Sequence, residues 1–263
     1  MLRIAIIGAG RLAWNLIPSL QQAGNEVFQL ISRDQTRLDT FQTNFQIPHV
    51  HTDLRALDAT ADIVFLTVSD KAIESVAADL ALHKIQGPLF VHTSGSVPMI
   101  ALQPLGNTIG VFYPLQIFTF DRQVAFRQVP IFVEANGEQK ETLKTLGAQL
   151  SEQTFEMDSE ARLRLHMGAV IACNFPNFLW KIAQAQLPEN VGLSVYEGLV
   201  RETVDKAFAF GPENTQTGPA VRGDLPTLKK HLELLAQTDD LFALYRQLSI
   251  LINPPLSDQL PDH

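Results

Sequence analysis

Short apolar runs bounded by turn residues alternate with amphipathic stretches through the first 156 residues. Residues 2–7, 26–32, 62–68 and 88–93 are dense in β-branched and aromatic side chains and predict strands, as do 108–112, 130–134 and 153–156. Between the early runs, residues 11–23, 35–44 and 71–82 carry apolar positions at three- and four-residue spacing and predict helices. Strand, helix and strand at this spacing imply right-handed βαβ units and a mainly parallel sheet covered on both faces. Ile63, Val64, Phe65 and Leu66 are apolar without alternation, as a central parallel strand requires.

Near Met157 the pattern changes, and only helical periodicity follows. Residues 163–186, 194–210, 227–236 and 240–252 repeat apolar side chains every three or four positions. Pro176 is expected to kink the first of these. Asp224, just before Leu225 and Pro226, reads as a helix N-cap with proline in the first turn. The proline-containing tail, residues 253–263, is expected to fray. Two domains are therefore expected, 1–156 with the sheet and 157–263 all helical.

Composition narrows the class. The chain has 263 residues, 46% of them apolar and 18% charged, which suits a folded globular protein. Lys plus Arg number 20 against 28 Asp plus Glu, a net charge of -8 with no basic run, so nucleic acid and anionic membrane surfaces are poor partners. The single cysteine, Cys173, excludes an internal disulfide and a multi-cysteine metal site, and its apolar surroundings predict an inert buried thiol. No apolar stretch approaches the roughly 20 residues of a membrane span, and the run Ile4–Ile7 is too short for a signal sequence, so a cytoplasmic protein is expected. His49 and His51 lie beside Asp53 without a further ligand, and read as a surface strand end rather than a metal site.

The first strand runs into Gly8, Ala9, Gly10, Arg11, Leu12 and Ala13, a G-x-G-x-x-A pattern that opens a helix within a βαβ unit. Gly8 permits the tight turn, Gly10 lets backbone approach a pyrophosphate, and Ala13 lets the helix sit close to the strand. The N–H groups of the first helical turn, at Arg11 and Leu12, face the anion. This context makes the first domain a Rossmann-type, doubly wound dinucleotide fold. The second strand ends in Ser32 and Arg33 where an NAD site would place a carboxylate. A hydroxyl and a guanidinium suit a 2′-phosphate, with Arg37 one turn on adding charge, so NADP(H) is the expected cofactor. Asp34 complicates this, although it is placed to cap the helix from Gln35.

Two further strand ends point to the same crevice. Thr67, Val68 and Ser69 would line the ribose and nicotinamide path, with Thr93, Ser94 and Gly95 beside the reacting carbon. Ser69 reads equally as a helix cap, and Ser94–Gly95 equally as an ordinary turn. Tyr113 follows as an aromatic wall that would face substrate. In the second half, His166 and Asn174 lie roughly 80° apart in helical projection and can edge one cleft. His166 would then transfer a proton as hydride arrives and Asn174 orient the substrate; the alternative is a pair of satisfied core polar groups. Residues 215–224 form either a rigid connector or a binding loop, in which Arg222 would clamp a carboxylate or pair with Asp224.

The glycine loop Gly8–Ala13 at the N-terminus, the strand end Ile31-Ser32-Arg33, the segment His92-Thr93-Ser94-Gly95-Ser96, the stretch Pro114-Leu115-Gln116 with Phe118, and the loop Thr217-Gly218-Pro219-Ala220-Val221-Arg222-Gly223-Asp224 occur together here. The chain in this respect resembles bacterial proteins with a Rossmann-like domain and a C-terminal DUF2520 domain, assigned as NADP oxidoreductases of the 6-phosphogluconate dehydrogenase-like superfamily. Its first half is also similar to coenzyme F420-dependent oxidoreductases and pyrroline-5-carboxylate reductases. The resemblance implies an NADP-dependent reductase, a homodimer through the helical domain, and a small substrate, with a ketopantoate-like 2-keto acid or an imine foremost. Tyr113 stands where the family leads one to expect histidine, which leaves Tyr113 or His166 as proton donor. No residue matches the superfamily's helical lysine cleanly; Lys181 falls too far along. The reductase would work in a cleft between the domains; the alternative is a non-enzymatic NADP(H)-binding redox sensor.

Overall fold

The computed structural model describes residues 1–262. Eight strands form one sheet in the order β3-β2-β1-β4-β5-β6-β7-β8. They are β1 (Arg3–Ile7), β2 (Glu26–Ile31), β3 (His49–His51), β4 (Ile63–Leu66), β5 (Leu89–His92), β6 (Ile109–Pro114), β7 (Ile131–Ala135) and β8 (Thr154–Glu156). Neighbours are parallel except β6 and β7, which run antiparallel. All seven runs expected to be strands are strands. The eighth, β3, is the His49–His51 segment, which pairs with Gln29–Ile31.

Side chains leave a strand on alternating faces, and both faces here are dry. Ile4 and Ile6 of β1 join a core with α1 (Arg11–Gln22), α2 (Gln35–Phe45) and α4 (Gly137–Leu150). Ala5 and Ile7 join the opposite core, under α3 (Ile73–Leu82) and the 3-10 turn Met99–Leu105. Helix α4 has no counterpart in the sequence expectations. Its buried anchors are Leu143, Leu146 and Leu150, with Gly147 seated where a Cβ would lie 2.6 Å from the Thr154 side chain. The Asp34 carboxylate accepts from the Arg37 N–H at 3.1 Å and caps α2 as expected.

The chain divides into two compact units, the first running Met1–Asn177 and the second starting at Phe178. The strands end at Glu156, yet the first unit continues into α5 (Ser159–Ala169) because Arg162 on that helix is 1% exposed and pairs with Glu134 of β7. The long predicted helix is interrupted by a π turn, Val170–Asn174, in which the Phe175 N–H bonds to the Val170 carbonyl. Pro176 has no N–H to continue the α ladder, which accounts for the wider turn just before it. Cys173 lies on this turn and is exposed, not buried as expected, because none of the described residues covers that face.

The second unit comprises most of α6 (Phe175–Ala185), then α7 (Glu197–Phe210), two four-residue helices α8 (Pro212–Thr215) and α9 (Pro219–Arg222), α10 (Leu225–Leu235) and α11 (Asp239–Ile252). Asp224 caps α10 as expected, accepting from the Thr227 N–H. Over residues 253–262 the tail does not fray, His263 lying outside the described residues: Pro254–Asp258 forms a 3-10 turn that places Leu256 and Leu260 in a core with Ala220, Leu228, Leu232 and Phe242. Burying two leucines offsets the conformational entropy lost in ordering the tail.

At Gly8 the backbone is in the left-handed region (φ +113°), and a Cβ there would lie 2.9 Å from the Thr67 carbonyl carbon. Gly8→Ala is therefore expected to destabilise the first unit by about 1–3 kcal/mol. Gly10→Ala, whose nearest contact would be 3.6 Å away, should cost less than about 1 kcal/mol. Thermal unfolding of both variants checks the order. His92, wholly buried at the end of β5, has its pKa pushed down to about 4, first by burial and then by the Arg162 charge. It folds neutral, so the stability it contributes is complete above its unfolded pKa of about 6.5 and drains as pH falls toward 4, by up to about 3 kcal/mol. Denaturant midpoints at pH 7 and 4.5 should fall further for the wild type than for His92→Asn.

Candidate functional site

The strand order reverses between β1 and β4, and open α/β sheets place their ligand crevice at such a point. A cavity of about 450 Å³ lies there. Ile7, Gly8, Ala9 and Gly10 supply one side, Thr67, Val68 and Ser69 another, and Ile31, Ser32, Arg33, Asp34 and Arg37 a third. Gly10 caps α1 without any side-chain hydrogen bond, so the first-turn N–H groups at Arg11 and Leu12 keep their donor capacity and the positive end of the helix dipole. The Thr67 hydroxyl donates to the Gly8 carbonyl at 2.8 Å and ties the end of β4 to the glycine turn. Ser69 makes no capping hydrogen bond, which removes the alternative reading of that residue as a helix cap.

The cation set around Ser32 is asymmetric. Arg37 is engaged, its Nε 3.2 Å from Asp34 Oδ2, whereas Arg33 makes no ion pair among the described residues. Both are exposed and both line the cavity. The residues present suit a dinucleotide: donors for a pyrophosphate at the start of α1, and guanidinium groups with a hydroxyl for a phosphate at the end of β2.

A second group of polar side chains gathers beyond the ends of β5 and β6. Ser94 builds its own turn, its hydroxyl accepting from the N–H groups of Ser96 (3.1 Å) and Val97 (3.0 Å), while its own N–H donates to His92 Nδ1 at 3.2 Å. Its side chain thus serves turn chemistry. Thr93 is nearly buried beneath, with its hydroxyl 3.4 Å from the Leu66 carbonyl. The turn brings Gly95 against Tyr113 and His166. A Cβ on Gly95 would lie 2.7 Å from Tyr113 Cζ and 2.8 Å from His166 Nδ1. Only a residue without a side chain allows both rings to come so near the backbone. The Tyr113 hydroxyl is 3.1 Å from His166 Nδ1, with the rings edge to face at 6.0 Å. Burial pushes the Tyr113 phenol above its ordinary pKa, and the Asp70 carboxylate adds to the rise. Tyr113 and His166, read from the sequence as alternatives, are one hydrogen-bonded pair.

Several members of this group escaped the sequence reading. Asp70 accepts from the Ser96 hydroxyl at 2.7 Å. Arg162 pairs with Glu134 and donates to the Val97 carbonyl at 2.7 Å and to Ser159 Oγ at 3.2 Å, while Ser159 donates to Glu134 at 2.8 Å. This network locks the segment after Ser96 onto α5 and so fixes His166, one turn further along the same helix. Asp70 was detectable as the residue after Ser69 at a strand end. Arg162 carried no such signal, since an arginine on a helix is ordinarily solvated.

Two candidates remain, Asn174 in the first unit and Arg222 in the second. Asn174 is exposed on the π turn and makes no hydrogen bond among the described residues. The wider turn between it and His166 alters the projection expected of an uninterrupted α-helix. In the second unit, residues 215–224 form a braced connector: Asn253 donates to the Ala220 carbonyl at 2.8 Å and the Asp224 N–H to the Pro219 carbonyl at 2.9 Å. Arg222 is exposed there and makes no ion pair with Asp224. No cluster of metal-ligating side chains occurs among the described residues.

The comparisons with known proteins agree with this architecture. Residues 3–94 match the model described as NADP oxidoreductase, coenzyme F420-dependent, and residues 129–252 match the domain of unknown function DUF2520. No curated protein matches the chain. Among solved structures, a Bacteroides fragilis protein provisionally named an NADP oxidoreductase is 33% identical, with 96% of this chain and 98% of that one covered and a TM-score of 0.87. A Thermotoga maritima protein is 19% identical over 97% of this chain and 99% of its own, at a TM-score of 0.71. An imine reductase from Myxococcus stipitatus, solved in complex with NADP+, shares the fold at 13% identity, covering 97% and 94% of the two chains with a TM-score of 0.70. The chain therefore belongs to the Rossmann-like NADP oxidoreductase family in which an F420-dependent-type NADP oxidoreductase region is joined to a DUF2520 region.

Proposed function

We propose that the protein is an NADPH-dependent reductase of a small carbonyl or imine, with the Tyr113–His166 pair as its proton source. The observation that carries this reading is the 3.1 Å contact between the Tyr113 hydroxyl and His166 Nδ1 beside Gly95. NADPH would lie along the glycine turn, with its 2′-phosphate at Ser32 and Arg33 and its ribose and nicotinamide along Thr67, Val68 and Ser69 toward Thr93, Ser94 and Gly95. NADPH supplies a hydride when bound. As the substrate carbon accepts it, Tyr113 passes its phenolic proton to the substrate oxygen or nitrogen and regains one from His166. The raised pKa keeps Tyr113 protonated until that step. The products are NADP+ and an alcohol or amine.

Imines enter because imine reductases share the fold, and 2-keto acids because the exposed Arg222 guanidinium, which makes no ion pair among the described residues, is suited to a carboxylate. Asn174, exposed and with no side-chain hydrogen bond among the described residues, is proposed to orient substrate. A reductase with one free cysteine fits a reducing cytoplasmic setting. A homodimer through the helical region is part of the proposal. Phe208 is 90% exposed on one side of α7, while Leu199 (67%) and Phe210 (66%) share the opposite side, large apolar side chains that a second copy would cover.

Calorimetric titration should show NADPH binding about tenfold tighter than NADH, roughly 1.4 kcal/mol; equal or stronger NADH binding would sink the phosphate assignment. In a screen of keto acids and cyclic imines, Tyr113→Phe and His166→Ala should each lower kcat about 10²- to 10⁴-fold with NADPH affinity unchanged. Unchanged kcat would remove the pair from the reaction, and binding with no turnover on any substrate would favour the redox sensor. Sedimentation should report twice the mass of the chain, reduced to one chain by Phe208→Glu with Phe210→Glu.

A further inference from the structure

The segment after β6 returns across α1 and is pinned there by one buried side chain. Asn15, 1% exposed within α1, donates from its carboxamide to the Thr119 carbonyl at 2.9 Å and to the Arg11 carbonyl at 2.8 Å, and accepts from the Val124 N–H at 2.8 Å. Asparagine is a weak helix former, so its value at this position lies in the bonds that reach 104 and 109 residues along the chain. They hold Phe120 edge-on against Trp14 at 6.0 Å, and Trp14 in turn packs on Phe41 and Phe45 of α2. The Arg37 guanidinium sits 5.5 Å from the Phe120 ring centroid, within cation–π range. Its Nη1 is 3.4 Å from the carbonyl of Ala9 in the glycine turn.

We infer that Phe120, held by Asn15, is a specificity-determining residue that selects NADPH over NADH by keeping the Arg37 guanidinium at the cavity wall where it meets the 2′-phosphate. The inference rests on the proposed placement of that phosphate and extends it to residues outside the cavity lining. Without the ring, Arg37 retains the long 3.4 Å hydrogen bond to the Ala9 carbonyl and the ion pair with Asp34, in which both side chains are about half exposed. Such pairs hold a flexible side chain weakly. NADH has no phosphate for Arg37 to meet, so its affinity should be indifferent to the ring.

The test is the ratio of NADH to NADPH dissociation constants, measured by calorimetry on the full chain. Phe120→Leu, which keeps an apolar contact with Trp14 but loses the aromatic face, should lower the ratio about two- to fivefold with the NADH constant unchanged. Phe120→Trp should keep the ratio. Once Arg37→Met has lowered it, adding Phe120→Leu should change it no further. If Phe120→Leu weakened both nucleotides equally, or left the ratio of an NADPH-preferring wild type intact, the inference would fail while the phosphate placement stood. A wild-type ratio near one would overturn both.

Discussion

Everything in the first unit hangs on how closely two parallel strands can end beside each other. Gly8 turns the chain at the end of β1 directly against the backbone of Thr67 at the end of β4, a spacing no Cβ tolerates. Thr67 returns the contact by donating its hydroxyl to the Gly8 carbonyl. The tight junction sits where the strand order reverses, so it becomes the floor of the cavity. It also aims the uncapped start of α1 across that floor. A second close approach is built the same way at Gly95. There the absence of a side chain admits the rings of Tyr113 and His166 to the backbone of the next strand end. Recognition and proposed chemistry thus rest on two glycines at the ends of β1 and β5.

Around these approaches the polar groups divide by how firmly they are held. Buried groups are bonded into the frame: His92 and Ser94 shape the turn, and Arg162, Glu134 and Ser159 lock the following segment to α5. A buried ion pair adds little stability over a well-packed apolar alternative, but it fixes geometry, and here it fixes the helix that carries His166. Groups at the cavity and the pair are less constrained. Arg33 makes no ion pair among the described residues, and Arg37 is exposed and held by an aromatic face and a surface carboxylate. A rigid frame with exchangeable partners at its mouth is the arrangement a charged ligand needs.

The sheet was legible because parallel strands buried on both faces must be apolar throughout, and Ile63–Leu66 are so without exception. The glycine turn was legible because its jobs restrict residue type position by position. Helix α4 was not, since two of its fourteen residues are glycine and only its later turns carry leucines in sequence. Proline carried two different messages: Pro176 follows a π turn within a continuous helix, an irregularity of the kind its position signals, whereas the prolines of the tail start a 3-10 turn rather than a frayed end. At the site, the positions at strand ends were readable one by one, but their pairing was not. Tyr113 and His166 are 53 residues apart, and their contact depends on Arg162 being buried, which nothing in its neighbourhood announces.

The central claim is that the reacting end of the nucleotide reaches the Tyr113–His166 pair. It is tested most directly by NMR of protein labelled in its tyrosine and histidine rings, titrated with NADP+. The ring signals of Tyr113 and His166 should shift as NADP+ saturates the protein. Those of His231 and Tyr245, a hydrogen-bonded pair at 2.6 Å in the helical unit, serve as the reference within the same sample. Saturation with no movement of Tyr113 or His166 would contradict the claim and detach the pair from the cofactor.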